Sequence, residues 1–268
     1  FQMLNAMESQ FQRVIDTDVL IVCKTIRQIA DYLESNPTPI AKKVLSKNKS
    51  TNFAVAITGM SLRLPAANNQ QEFWDNLCNK KDCIDKVSAK RQALSDELDW
   101  NDWIGELENI DYFDHDFFDI APEEASFMDP QQRLALEVAY EALEDAGILP
   151  GNEEGERHIG VYSGLSANTY YQLLIKYLKK QGREAVNQLA LVGNLCNMIA
   201  AKIARVNNFT GPAINIDTAC SSFLVTLHHA VMAIRQKHIQ GAVVVGANIL
   251  VTSDVHALSR QAGILSST

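Results

Sequence analysis

The chain reads Gly211-Pro212-Ala213-Ile214-Asn215-Ile216 and continues as Asp217-Thr218-Ala219-Cys220-Ser221-Ser222, a pattern that predicts a strand turning into a helix. Gly211-Pro212 introduces an alternating segment, which is typical of the start of a strand. From Phe223 to Ile234 the residues are apolar on almost every side, as in a helix of the core. Cys220 is therefore predicted to lie at the N-terminus of a buried helix.

A thiol in that position has the surroundings of an acyl-transfer nucleophile. The helix dipole and the free backbone N–H groups favour the thiolate and stabilise an oxyanion that forms beside it. A lone cysteine is more often a small core hydrophobe, and we assign that use to the other cysteines, which are Cys23, Cys78, Cys83 and Cys196. None of them has a metal-binding spacing with a partner motif, and the odd total of five, without a signal-peptide pattern, disfavours a disulfide framework. Cys220 is thus the predicted nucleophile.

Composition narrows the class of protein. The chain has 268 residues, of which 47% are hydrophobic, and a formal net charge of −8. That apolar content suffices for a core, and no apolar run is long enough to cross a bilayer. An acidic balance disfavours nucleic acid, whose binding proteins cluster Lys and Arg. We expect a cytoplasmic protein without a nucleic-acid or membrane partner.

Periodicity in the larger part of the chain predicts alternating strands and helices. Strands are predicted near 53–60, 158–164, 212–219 and 241–250, and helices near 70–79, 130–146, 169–181, 193–206 and 221–237. This alternation predicts an α/β layered fold with a largely buried sheet. Gly59, Gly164 and Gly246 follow apolar runs and suit tight turns at strand ends. The segment 241–247 lacks the G-x-G-x-x-G spacing of a dinucleotide site.

Several further segments accompany the Cys220 stretch in a fixed order. They are Ala56–Ser61 with Arg63-Leu64-Pro65, Glu72–Leu77, Asp114–Phe118, Met128–Leu134 running into Glu137–Gly147, Gly160–Gly164 and Ala257–Ser266. Together they resemble the β-ketoacyl synthase (ketosynthase) domains of modular polyketide synthases. The resemblance covers about residues 53–268, which we interpret as the N-terminal part of such a domain.

The resemblance implies a thiolase-like fold of two related halves, of which this chain supplies the first. It implies a decarboxylative Claisen condensation in which Cys220 carries the acyl chain and its backbone N–H forms part of the oxyanion hole. The catalytic histidine pair of the family belongs to the second half, so the isolated fragment is expected to be inactive. We therefore give no catalytic role to the six histidines, which are His115, His158, His228, His229, His238 and His256. Three of them, His158, His238 and His256, are predicted at element ends or on the surface.

The resemblance also implies partners. Substrates would arrive on the phosphopantetheine arms of acyl carrier protein domains, with acyltransferase and other synthase domains nearby, and the ketosynthase would form a homodimer; no metal is required. Two other interpretations stay open. One is a coenzyme A-dependent thiolase-fold enzyme, and the other is a catalytically incomplete half-domain that acts only in assembly or dimerisation. Lys202 and Glu124 depart from the family pattern, because Arg is common at both positions.

The N-terminal segment has a separate character. Phe1, Leu4, Met7 and Phe11 recur at helical spacing, and residues 25–33 form a second amphipathic pattern. Residues 1–35 resemble the C-terminal part of an acyl carrier domain, followed by a lysine-rich linker at 36–52. This resemblance implies that the serine bearing phosphopantetheine immediately precedes Phe1, with an aspartate before it. A generic pair of linker helices is the alternative.

Overall fold

The computed structural model describes residues 25–34, 53–94, 100, 103–148, 157–165, 168–182 and 188–266. The chain divides into two compact units, Phe1–Asn52 and Phe53–Thr268. The described part of the first unit contains helix α1 (Ile26–Glu34). Thr25 begins it, because the Thr25 hydroxyl accepts the Gln28 N–H and the Gln28 side chain accepts the Thr25 N–H, each at 3.2 Å. The helix predicted over 25–33 is confirmed, whereas Cys23, the predicted stripe from Phe1 to Phe11 and the linker 36–52 lie outside the described residues.

The second unit alternates helices with short strands. In chain order its described elements are α2 (Gln70–Cys78), β1 (Asp85–Lys86), α3 (Ala89–Gln92), β2 (Trp103–Ile104), α4 (Pro122–Phe127), α5 (Pro130–Asp145), β3 (Ile159–Gly164), α6 (Tyr170–Lys180), α7 (Gln188–Val192), α8 (Asn197–Val206), β4 (Ala213–Asn215), a 3-10 turn (Ala219–Ser221), α9 (Ser222–Arg235), β5 (Gly241–Gly246) and α10 (Asp254–Gln261). The helices predicted near 70–79, 130–146 and 169–181 and the strand near 158–164 are confirmed.

A parallel sheet forms the centre of this unit. Its strand order is β4-β3-β5, and Tyr162 of β3 lies opposite Ile214 on one side and Val244 on the other. Successive β3 side chains point to opposite faces. Val161 packs against α5 and α8 in the main core cluster, whereas Tyr162 packs against α9 beside Ala230. Helices therefore cover both faces of the sheet, which confirms the predicted α/β layered fold.

The strand predicted at 53–60 is wrong for the described structure, because residues 53–60 form no strand. A strand exists only where a neighbour completes its hydrogen-bond ladder, and no described strand runs beside this segment. The segment is held by α5 instead. The Met60 N–H donates to the Asp145 carboxylate at 2.9 Å, and the Ser61 hydroxyl donates to Glu141. Ile57 is left 81% exposed.

Other differences concern element ends and burial. The strands β4 and β5 are shorter than predicted, and α8 begins at Asn197 rather than at 193. The reason is a turn after α7, in which the Gly193 N–H donates to Leu189 O at 2.8 Å. Helix α9 is not a core helix, since Phe223 is 43% and Leu224 67% exposed. Only one side of α9 packs on the sheet, so an apolar sequence on every side did not mean burial on every side.

Candidate active site

The end of strand β4 is tied to strand β3 by a polar bridge. The hydroxyl of Ser163, which is fully buried, donates to Asn215 Oδ1 at 2.9 Å. Asn215 Nδ2 donates in turn to the Leu165 carbonyl at 3.3 Å. One residue further, the Ile216 N–H donates to Ser163 O at 2.8 Å. These bonds define the point at which the chain leaves the sheet and enters the turn that holds Cys220.

The turn itself contains an unusual backbone conformation. Ala219 has a φ of 55°, in the left-handed region that residues other than glycine seldom adopt. The Asp217 carboxylate accepts the Ala219 N–H at 3.0 Å. The Ser221 hydroxyl donates to the Thr218 carbonyl at 2.9 Å. Side chains within the turn therefore stabilise the conformation that presents Cys220.

Cys220 lies in the 3-10 turn directly before α9, and its side chain is exposed. Its backbone N–H donates to no acceptor within the described residues. A free thiol and a free N–H thus lie on the same residue at the N-terminal end of a 14-residue helix. The arrangement is suited to attack on a thioester carbonyl, because the thiolate and a donor for the developing oxyanion are adjacent.

Two strand-end glycines lie beneath the first turn of α9. Neither Gly164 nor Gly246 has a left-handed φ, so their backbone conformation does not itself require glycine. Their role is close approach. A Cβ on Gly164 would lie 2.8 Å from the Ser222 carbonyl carbon, and one on Gly246 would lie 2.8 Å from Cδ2 of Phe223. We call Asp217–Phe223 the nucleophile turn. Its last two residues rest on the ends of strands β3 and β5.

Large apolar side chains are exposed on the elements that flank Cys220. They are Ile214 on β4 and Phe223 and Leu224 in the first turn of α9. β4 is an edge strand of the described sheet, with β3 on one side of it. Exposed apolar side chains beside an unpaired strand edge are typical of a surface that another protein segment covers.

No described hydrogen bond links the remaining cysteines and histidines to Cys220. Cys78 is exposed, and Cys83 and Cys196 are partly buried free thiols. Burial raises the pKa of the Cys196 thiol, and the nearby Asp129 and Asp217 carboxylates add to that effect. His228 and His229 are exposed on α9, with ring centroids 5.9 Å apart.

His256, predicted at an element end or on the surface, lies in the first turn of α10. It is buried there and accepts the Trp100 indole N–H at 3.1 Å. Within the described residues, no group of three His, Cys, Asp or Glu side chains could hold a metal ion. No described helix is long and apolar enough to cross a membrane.

Sequence reasoning missed three features of this unit. It treated Lys202 and Glu124 as separate departures, but the two side chains form an ion pair that is largely buried on the lysine side. It also missed the buried Ser222 hydroxyl and the close contact at Gly164. A serine at the first residue of a helix is a local signal of a side chain that bonds backbone groups. The ion pair has no local signal, because it joins residues 78 positions apart.

A parallel sheet covered by helices, with an exposed thiol at a strand-to-helix turn, places this chain in the class of layered α/β proteins. A family profile described as "Beta-ketoacyl synthase, N-terminal domain" matches residues 52–268. The chain therefore belongs to the β-ketoacyl synthase family, which is a family of condensing transferases.

Curated relatives are polyketide synthases. The chain is 37% identical over 222 residues to polyketide synthase PksL of Bacillus subtilis, covering 80% of this chain and 5% of that protein. It is 37% identical over 216 residues to the non-reducing polyketide synthase mapC of Penicillium brevicompactum, covering 79% of this chain and 8% of that protein. The chain thus spans a small part of these relatives.

Solved structures of ketosynthase domains share the fold. The ketosynthase from module 6 of the bacillaene synthase of Bacillus subtilis aligns with a TM-score of 0.66 and 38% identity, over 79% of this chain and 34% of that one. An oxazolomycin ketosynthase domain from Streptomyces albus aligns with a TM-score of 0.66 and 28% identity, over 79% of this chain and 38% of that one. The predicted thiolase-like fold is confirmed, and the chain covers about a third of each ketosynthase chain.

Proposed function

We propose that residues 53–268 act as the N-terminal part of a polyketide synthase ketosynthase, with Cys220 as its nucleophile. The observation that carries the proposal is the exposed Cys220 thiol in the turn before α9. The backbone N–H of Cys220 has no acceptor within the described residues. The family match and the polyketide synthase relatives support the same activity.

The proposed reaction has two stages. The Cys220 thiolate attacks the carbonyl of an acyl thioester on a carrier, a new C–S bond forms, and the C–S bond to the carrier breaks as the thiolate of its phosphopantetheine arm leaves. A malonyl-type extender on a carrier then loses carbon dioxide, and its carbanion attacks the acyl-Cys220 carbonyl. A new C–C bond forms as the Cys220 thiolate departs. In both stages the negative charge on the carbonyl oxygen would be stabilised by the Cys220 N–H.

The remaining machinery would come from outside this chain. By family resemblance, a second half-fold supplies the histidine pair for decarboxylation and a second oxyanion donor, so residues 53–268 alone are expected not to condense. We also propose acyl carrier, acyltransferase and other synthase domains as partners, a homodimer formed through the ketosynthase, and a cytoplasmic location. The exposed apolar surface beside β4 supports an assembly of this kind.

Residues 1–35 would be the C-terminal part of a carrier domain joined by the linker 36–52. A tether of that length raises the concentration of the carried substrate near Cys220. This part of the proposal is tested by reading the two codons before Phe1, which should encode aspartate and then serine. Any other residue in the serine position removes the carrier assignment and leaves the ketosynthase assignment intact.

The nucleophile is tested in the synthase polypeptide that carries this chain. Cys220→Ala should abolish both acylation by an acyl-pantetheine thioester and condensation, whereas Cys78→Ala, which removes another exposed thiol, should leave both unchanged. Mass spectrometry of the peptides locates the acyl group. Acyl transfer that persists in Cys220→Ala would refute the assignment. A wild-type polypeptide that assembles but is not acylated at Cys220 would favour the alternative of a half-domain that acts only in assembly.

A further inference from the structure

We propose that Ser222 is a positioning residue that orients the backbone N–H of Cys220 for the oxyanion. The inference rests on the proposed role of Cys220 and goes beyond it by naming the group that aims its donor. Ser222 is the first residue of α9, and it is only 4% exposed.

The Ser222 hydroxyl bonds backbone groups on the N-terminal side of the nucleophile. It accepts the Thr218 N–H at 2.9 Å and donates to the Ala219 carbonyl at 2.6 Å. The Ala219 carbonyl also accepts the Ser222 N–H. One buried side chain thus fixes both ends of the short segment that includes the left-handed Ala219.

The bond to the Ala219 carbonyl determines where the Cys220 N–H points. The two groups belong to one planar trans peptide, in which the C=O and the N–H point in opposite directions. Because Ser222 holds the carbonyl toward its own buried side, the N–H is directed the other way. It is this N–H that has no acceptor within the described residues. Ser222 therefore acts on the oxyanion donor through the peptide plane and has no contact with the reacting atoms.

The contact with strand β3 keeps Ser222 in place. The backbone of Ser222 and Phe223 passes within 3 Å of where a Cβ of Gly164 would stand. Since the serine cannot move toward the sheet, its hydroxyl stays in reach of both backbone partners. Removing the hydroxyl leaves the Thr218 N–H without its acceptor and the Ala219 carbonyl with one donor instead of two.

Two reactions of Cys220 separate positioning from collapse of the turn. Acylation by an acyl-pantetheine thioester develops an oxyanion, whereas alkylation by iodoacetamide does not. In the synthase polypeptide, Ser222→Ala should slow acylation about tenfold, less than the 10²–10³ for outright loss of a donor, because one restraint on the peptide remains. The rate of Cys220 alkylation, followed by peptide mass spectrometry, should change by less than about twofold. That rate depends on the fraction of Cys220 present as thiolate and on the access of the reagent to it.

Thr226→Val is the matched control. Thr226 lies one turn further along α9 and is fully buried, and its hydroxyl has no hydrogen-bond partner within the described residues. Both rates should stay at the wild-type value in this variant. Equal slowing of acylation and alkylation in Ser222→Ala would show a purely structural role and overturn the inference. A wild-type rate of acylation in Ser222→Ala would also overturn the inference.

The proposed function fails separately from this inference. If Cys220→Ala is still acylated, or if the wild type is not acylated at Cys220, the nucleophile assignment falls and the role of Ser222 falls with it. If the wild type is acylated at Cys220 and Ser222→Ala reacts at the same rate, only the positioning role is refuted.

Discussion

Replacement of Gly164 by alanine should displace the nucleophile turn while leaving the sheet intact. The added Cβ would lie 2.8 Å from the Ser222 carbonyl carbon and 2.9 Å from both Ser222 O and Phe223 N. Ordinary carbon contacts begin at about 3.5 Å, so the first turn of α9 must move by roughly 0.7 Å. All three atoms belong to the backbone, so no side-chain rotation can relieve the contact.

The size of the effect follows from that displacement. Overpacking of this kind destabilises a fold by about 1–3 kcal/mol, which lowers the melting temperature by about 2–4 °C per kcal/mol for a unit of this size. A misplacement near 1 Å in a catalytic group slows a reaction by about 10². We therefore expect acylation of Cys220 to fall by about one to two orders of magnitude in Gly164→Ala, with a melting temperature lower by several degrees.

The assay compares three variants of the synthase polypeptide by thermal denaturation and by the rate of Cys220 acylation. Gly241→Ala is the control, because its Cβ would meet only Ile159 Cγ1, at 4.0 Å. Gly246→Ala should be intermediate. Its Cβ would lie 2.8 Å from Cδ2 of the partly exposed Phe223 ring, which can rotate away, and 3.2 Å from Phe223 Cβ, which needs to shift only slightly. If Gly164→Ala keeps the wild-type acylation rate and melting temperature, the claim that the nucleophile turn rests on strand β3 is wrong.

Three further predictions concern side chains away from the turn. Lys202→Met should lower the free energy of unfolding by about 1–3 kcal/mol in urea, because it leaves Glu124 without its partner. Lys202→Arg keeps the charge and should lower it less. If the losses of Lys202→Met and Glu124→Gln add up in the double variant, the pairing is contradicted. Burial lowers the pKa of His256, so the unfolded chain binds a proton that the folded chain does not, and stability should fall as the pH drops below about 6.5. In urea unfolding at pH 7.5 and 5.5, His256→Gln should reduce this pH dependence, and an unchanged difference would refute it. Cys196, partly buried and with a raised pKa, should be alkylated more slowly at pH 8 than exposed Cys78, and equal rates would contradict that burial.

Much of the fold was predictable because its signals are local. Helix α5 begins where Asp129 caps the Gln131 N–H and Pro130 occupies the first turn, and these are neighbours in sequence. Strand β3, which the pattern near 158–164 predicts, lies between helices on both faces of the sheet. The change from an alternating strand to a helix around Cys220 is likewise contained within a dozen residues. The sequence by itself therefore determined the layered class, most element positions and the location of the candidate nucleophile.

Long-range contacts decided what the sequence left open. Alternation alone predicted a strand at 53–60, but a strand needs a neighbour, and none of the described strands pairs with it. The apolar sequence of α9 suggested full burial, but only its sheet-facing side is covered. Gly164 reads as a turn residue until the first turn of α9 is found within 3 Å of its missing Cβ. Pairing, burial and close approach depend on segments far apart in the chain, so only the tertiary structure decides them.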